Sequence, residues 1–281
     1  MKNIDFAFLD SGTGGIPYML YLREKLPSAT CVYLGDTAHF PYGEKSVEEI
    51  TECASKAISL IVSRWNPKTL IIACNTISVT ALDRLRSIFP TLPIVGTVPA
   101  IKLAAKVTKN RRIGFLATNA SVNSPYSQKL IDDFASDCTV FRRGDPELVR
   151  FVEKDFFTAT EEQKAAAVKP ATDYFLSNGC DTVILGCTHF THIARDIQKA
   201  CGTSVKVIDS REGVSNQVIK LSTRTPFTAK KCPETFCSRA SNLLKITVGL
   251  RFRQCIPMNL RFSLLLVLQG GRGLPSLFLL Q

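Results

Sequence analysis

The stretches TLIIACNTIS (69–78) and TVILGCTHFT (182–191) say the same thing twice. In each, a short apolar run stops at a cysteine and small polar residues follow, and Cys74 falls opposite Cys187 when the two are aligned. An apolar run of this length, bounded by polar residues, reads as a strand buried on both faces, as in a parallel sheet covered by helices. A second pair, FAFLDSG (6–12) and IGFLATN (113–119), repeats at nearly the same offset, with Asp10 opposite Ala117. Two βα halves of one design account for both correspondences.

Working outward, strand-like runs are expected at 4–10, 31–35, 69–74, 93–97, 112–117, 138–142, 182–187 and 205–209, alternating with helical periodicity. Ser46 with Glu49 and Thr160 with Gln163 have capping-box spacing, Ser124–Pro125 opens another helix, and Pro170 is expected to kink or break the helix begun at Thr160. Trp65 recurs at helical spacing with Ile50, Ala54, Ala57 and Ile61, which makes it a core residue. The expected fold class is α/β: two pseudo-symmetric domains, each a mostly parallel sheet flanked by helices, with the active site in the crevice between them. The first domain is expected at 1–97 plus 207–221, the second at 98–206, and 222–281 stands apart as a tail.

The charge supports that last division. Of 35 Lys and Arg against 24 acids, residues 222–281 hold nine bases and one acid, Glu234, so most of the net +11 belongs to the tail. A basic nucleic-acid face on the folded body is therefore not expected. The tail has no clean helical or alternating period, and its abrupt loss of acids is that of sequence read out of frame or poorly ordered. Its longest apolar run, Leu264 to Leu268, is far shorter than the roughly 20 residues that span a bilayer. Cys232 and Cys237 lack further ligands for zinc. No charged start followed by an apolar segment opens the chain, so a cytoplasmic protein with ten reduced cysteines is expected.

A cysteine at a strand tip, followed by small polar residues and a helix, has backbone N–H groups and a positive helix end nearby. Ionising a thiol of reference pKa about 8.5 at pH 7 costs roughly 2 kcal/mol, which such a setting nearly supplies. Two matched thiols suit a nearly symmetric reaction, racemisation, in which one removes a proton from a chiral carbon and the other returns it on the opposite face. Asn75, Thr76 and Thr188 offer short polar groups beside the sulfurs, and in DSGTGG (10–15) Asp10 and Ser11 follow the first strand where Gly12, Gly14 and Gly15 admit close approach. No cofactor and no metal are expected: the glycine run fails the dinucleotide pattern at Pro17, and no Walker-type loop occurs.

With FLDSGTGG (8–15), LGDTAHFPYG (34–43), ACNTIS (73–78) and LGCTHF (185–190) in this order, the chain resembles glutamate racemase, of the aspartate/glutamate racemase superfamily, from residue 4 to about 210. The resemblance implies cofactor-independent interconversion of L- and D-glutamate, supplying D-glutamate for peptidoglycan. It implies Cys74 and Cys187 as acid/base thiols, Asp10 assisting the first, His189 the second, and Glu153 acting with His189. It implies substrate contacts from Asp10, Ser11, Tyr42, Gly43, Asn75, Thr76, Thr118, Ser121 and Thr188. His39 and His192 are expected to be structural or superficial. Ile77 and Thr191 stand where the family usually has a small residue and a proline, and the tail replaces its closing helical segments. His189 and Ser78 favour glutamate over aspartate, where that family tends to carry an acid and a histidine. The rival readings are a racemase of aspartate and a non-catalytic, degenerate binding protein. The partner implied is a small-molecule substrate, glutamate, with no specific nucleic acid and no membrane; a homodimer is compatible with the reading.

Overall fold

The computed structural model describes residues 4–222, 265–269 and 276–280. Eight parallel strands appear where the apolar runs predict them: β1 Phe6–Asp10, β2 Cys31–Asp36, β3 Thr69–Ile72, β4 Ile94–Gly96, β5 Arg112–Ala117, β6 Thr139–Gly144, β7 Thr182–Leu185 and β8 Lys206–Ile208. In the first sheet the order runs β2-β1-β3-β4, and in the second β6-β5-β7-β8, so the two halves share one topology. Phe6 pairs with Thr69 in the first, Ile113 with Thr182 in the second. This is the two-domain α/β fold the repeat predicts.

Both faces of each sheet are covered, as the unbroken apolar strands require. The alternation along β1 and β3 sends Ala7, Leu9, Leu70 and Ile72 to one core and Phe6, Phe8, Ile71 and Ala73 to the other. In the second half, Leu116, Val183 and Leu185 face one core while Ile113, Phe115 and Ile184 face its opposite. Each fully buried Leu, Ile or Phe contributes roughly 1.5–3 kcal/mol, so the strands dominate the stability of both halves.

Helix ends follow the capping chemistry of the sequence. Ser46 and Glu49 form a reciprocal capping box on the helix Val47–Trp65, and Thr160 and Gln163 do the same for Glu161–Ser177. Trp65 packs at the margin of the first core. Pro170 lies inside its helix without breaking it, and the helix runs through to Ser177. Pro170 and Ala166, whose carbonyl loses its partner, are both exposed, so water satisfies the freed group.

Two features bear on the division of the chain. Val207 and Ile208, expected with the first half, are paired in the second sheet opposite Val183 and Ile184. The following helix Arg211–Ser222 returns to the first half, where Val214 and Val218 join Phe6 and Phe8 in one core. On this basis we propose units of 4–97 with 209–222 and of 98–208. Beyond Ser222, β9 (Leu265–Gln269) runs parallel to β2, and β10 (Ser276–Leu280) pairs antiparallel with β9. Two pieces of the atypical tail thus extend the first sheet at its β2 edge; Cys232, Cys237 and the remainder of the tail lie outside the described residues.

Candidate active site

In an open parallel sheet, ligands gather at the carboxyl ends of the strands, and here the ends of both sheets meet. Cys74 and Cys187 follow β3 and β7, each the last extended residue before a helical turn: Asn75–Thr80 after the first, the 3₁₀ turn Thr188–Thr191 after the second. Both sulfur-bearing residues line a single cleft of about 480 Å³, its open mouth included.

The Cys74 side is built on β1. Cys74 Sγ lies 3.9 Å from Ser11 Oγ. Asp10, at the end of β1, is fully buried; its Oδ2 accepts from the Gly15 amide at 2.8 Å, while Oδ1 has no hydrogen-bond partner besides the neighbouring thiol. Burial pushes the Asp10 carboxyl up, so it takes a proton more readily than an exposed aspartate. Burial, with the Asp10 charge beside it, also holds the Cys74 thiol well above its ordinary value. The expected helix-end stabilisation of a thiolate is present, as a bond from the Ile77 amide, but desolvation outweighs it at Cys74. Cys74 is thus held toward the protonated thiol, with the Asp10 carboxylate beside it.

The Cys187 side is a relay. His189 Nδ1 is 3.8 Å from Cys187 Sγ, and its Nε2 is 2.9 Å from Glu153 Oε2. Burial opposes charge on His189, yet the bonds to Cys187 and Glu153 win and raise its proton affinity well above the usual imidazole. Burial likewise opposes charge on Glu153, but His189 and Thr13 hold its carboxyl below the usual range. The two form a buried histidine–carboxylate bridge, with Nδ1 of the same ring turned to the sulfur. Phe40 packs over the ring of His189, its centroid 5.7 Å away.

Of the sequence-predicted residues, Ser11, Tyr42, Gly43, Cys74, Asn75, Thr76, Thr118, Cys187, Thr188 and His189 line the cleft. Asp10 and Glu153 do not; they stand behind Cys74 and His189 respectively. Ser121 is fully buried and receives the Thr118 hydroxyl at 3.0 Å, so it orients Thr118 rather than facing the cleft. Across the cleft, the Thr76 and Thr118 hydroxyls meet at 3.1 Å. Asn75 donates to the Thr97 carbonyl and leaves Oδ1 unpartnered. Ile77 faces the first core and does not line the cleft, whereas Thr191 closes its turn by donating to Thr188 O at 2.8 Å.

Sequence reasoning passes over several contributors. Asp36 accepts the Tyr42 hydroxyl at 2.6 Å and binds half-exposed His39, setting one lip of the cleft. Phe40, Pro41, Glu44, Asn119, Pro146 and Val149 complete the lining, and Glu44 pairs with Arg150 across the two halves. Thr13 reaches both Glu153 and His192. Its position between two glycines is the available signal, since such a loop admits close approach from another element. No group of His, Cys, Asp and Glu suited to a metal ion occurs among the described residues, and none of their helices is long and apolar enough to cross a membrane.

The model of the Asp/Glu/Hydantoin racemase family matches residues 20–213. The chain belongs to that family. Among curated relatives of this racemase chain, glutamate racemase of Treponema pallidum (strain Nichols) is 37% identical over 220 residues, 78% of this chain and 82% of that protein. Glutamate racemase of Sphingopyxis alaskensis is 41% identical over 216 residues, 76% and 80% of the respective chains. The crystal structure of Escherichia coli glutamate racemase, in complex with L-glutamate and the activator UDP-MurNAc-Ala, superposes with a TM-score of 0.77 at 27% identity, covering 99% of this chain and 100% of that one. Francisella tularensis glutamate racemase with D-glutamate gives 0.67 at 27% identity, covering 90% and 92%. The superposition on the Escherichia coli enzyme, at 99% of this chain, takes in both sheets and the cleft between them.

Proposed function

We propose that this racemase interconverts L- and D-glutamate, with Cys74 and Cys187 as the acid/base pair and no cofactor. The observation that carries the reading is the pair of matched thiols, on equivalent strand ends of two like halves, lining one cleft. A substrate α-carbon held between them has one sulfur on each face. One thiolate takes the α-proton, the other thiol delivers a proton to the opposite face, and exchange of roles runs the reaction backward.

The residues supply what the proton path needs. Asp10 receives or returns the Cys74 proton, and His189, oriented by Glu153, does so for Cys187. Ser11, Asn75, Thr76, Thr118 and Thr188, with Tyr42 and Gly43 at the lip, present the polar groups that hold an ammonium and two carboxylates. Ser121 contributes by orienting Thr118. The kinship with glutamate racemases and the presence of His189 beside the second thiol favour glutamate over aspartate. The product then serves the bacterial wall, made in the cytoplasm as D-glutamate for peptidoglycan.

Reaction in D₂O tests this. Either enantiomer of glutamate should gain α-deuterium and lose optical activity, L-aspartate should do neither, and Cys74→Ala or Cys187→Ala should abolish interconversion. Undiminished interconversion by either single-thiol variant would refute the two-thiol mechanism.

A further inference from the structure

Three polar atoms of Thr13, in the loop after β1, are engaged by the second half. Its amide and its hydroxyl both donate to Glu153 Oε2, at 2.9 and 2.7 Å, and its carbonyl accepts from His192 Nε2 at 3.1 Å. On either side the backbone is pressed against the same partners. A Cβ at Gly12 would lie 2.6 Å from Glu153 Oε2, and one at Gly14 would lie 2.7 Å from His189 Nδ1. Glu153 passes the contact onward, since Oε2 also takes His189 Nε2, whose ring turns its other nitrogen to Cys187.

We propose that Thr13 is a positioning residue for the Cys187 side of the reaction, its amide and hydroxyl orienting Glu153, and through it His189, from the opposite half of the molecule. The inference rests on the glutamate racemase reading above. An oxygen accepting three donors is held in place, and a carboxylate so held stays ionised and keeps the proton of His189 on Nε2. Nδ1 is then the nitrogen that trades with sulfur. The charged and titratable groups facing Glu153 are His189 and His192 from the loop after β7, Asp10 from β1 and Tyr33 from β2. The loop that carries Asp10 and Ser11 to Cys74 thus also sets the geometry at Cys187, so one segment aligns both thiols.

Thr13→Val keeps the buried volume and the amide but removes the hydroxyl donor, and Thr13→Ser restores it. The test measures racemisation by the full chain in both directions, with α-protonated and α-deuterated glutamate, across the pH range. For Thr13→Val, kcat should fall about tenfold, and the acid limb of kcat/KM should move to higher pH, because a carboxylate that loses a donor binds its proton more tightly. The primary isotope effect should rise for the enantiomer whose α-hydrogen Cys187 removes and fall for the other, because only the Cys187 step is slowed. Thr13→Ser should recover all three. An unmoved acid limb with isotope effects unchanged in both directions would overturn the proposal, even if the rate falls, since a merely structural role predicts that outcome. Should Thr13→Val not fold, Thr13→Ala gives the same readouts. A wild-type chain inert toward both enantiomers would instead defeat the glutamate reading itself.

Discussion

Cys74 and Cys187 share one backbone conformation in the two halves, φ −139° and ψ 117° at the first, φ −132° and ψ 134° at the second. Equal dihedrals at equivalent strand ends are the local expression of the duplicated topology. Their surroundings differ, however: an aspartate stands behind one sulfur and a histidine bridged to a glutamate behind the other. A symmetric scaffold sets the two sulfurs in unlike surroundings.

On the proposed mechanism each thiol serves its own step. Cys74→Ser and Cys187→Ser should each lower kcat in both directions by about a thousandfold, because a hydroxyl is a far weaker acid than a thiol. Circular dichroism should show both variants folded. Steady-state rates on the two enantiomers check the expectation.

At Gly14 the loop between β1 and the helix Ile16–Lys25 has no room for a side chain against the second half. A Cβ at Gly14 would approach Thr188 Oγ1 to 2.6 Å and the His189 amide to 2.7 Å. Gly14→Ala should push the halves apart by a fraction of an ångström and lower kcat about a hundredfold, since misplacement of that size is costly in a positioned reaction. Activity assays with a thermal melt separate this effect from unfolding.

His192, expected to be structural or superficial, packs a partly buried ring against Phe156 and Phe157, and the loss of water around it lowers its proton affinity to about 4 from 6.5. The unfolded chain binds the proton first as pH falls, so the stability of the neutral form is fully present above pH 6.5. It should be lost between pH 6.5 and about 4, a contribution on the order of 3 kcal/mol. His192→Gln keeps a donor near the Thr13 carbonyl and cannot titrate. Melting temperatures from pH 7 to 4 should fall less steeply for this variant than for the wild type.

Away from the cleft, the Thr160 side chain accepts from the Gln163 amide at 3.3 Å as the N-cap of Glu161–Ser177. Thr160→Ala should cost about 1 kcal/mol of stability with racemisation rates unchanged. Denaturant melts and rate measurements read the two quantities separately.

The eight parallel strands, the caps at Ser46, Ser124 and Thr160, and the duplicated cysteines are legible in the chain because they rest on local periodicity and on side chains a few residues apart. Apolar strands ending at polar residues specify a covered parallel sheet wherever they occur. Of the two outcomes expected at Pro170 the break does not occur, because propensity alone does not say whether water can reach the carbonyl that a proline frees. The proton affinity of Cys74 departs for a related reason: the sequence shows the helix end, but the loss of water around the sulfur arises only when both halves close over it. Thr13 and His192 likewise take their partners from contacts between the halves, at positions 179 apart in the chain. Local pattern determined the strands, the repeat and the two thiols; packing of one half against the other decided what faces each sulfur, because desolvation and long-range hydrogen bonds exist only in the assembled fold.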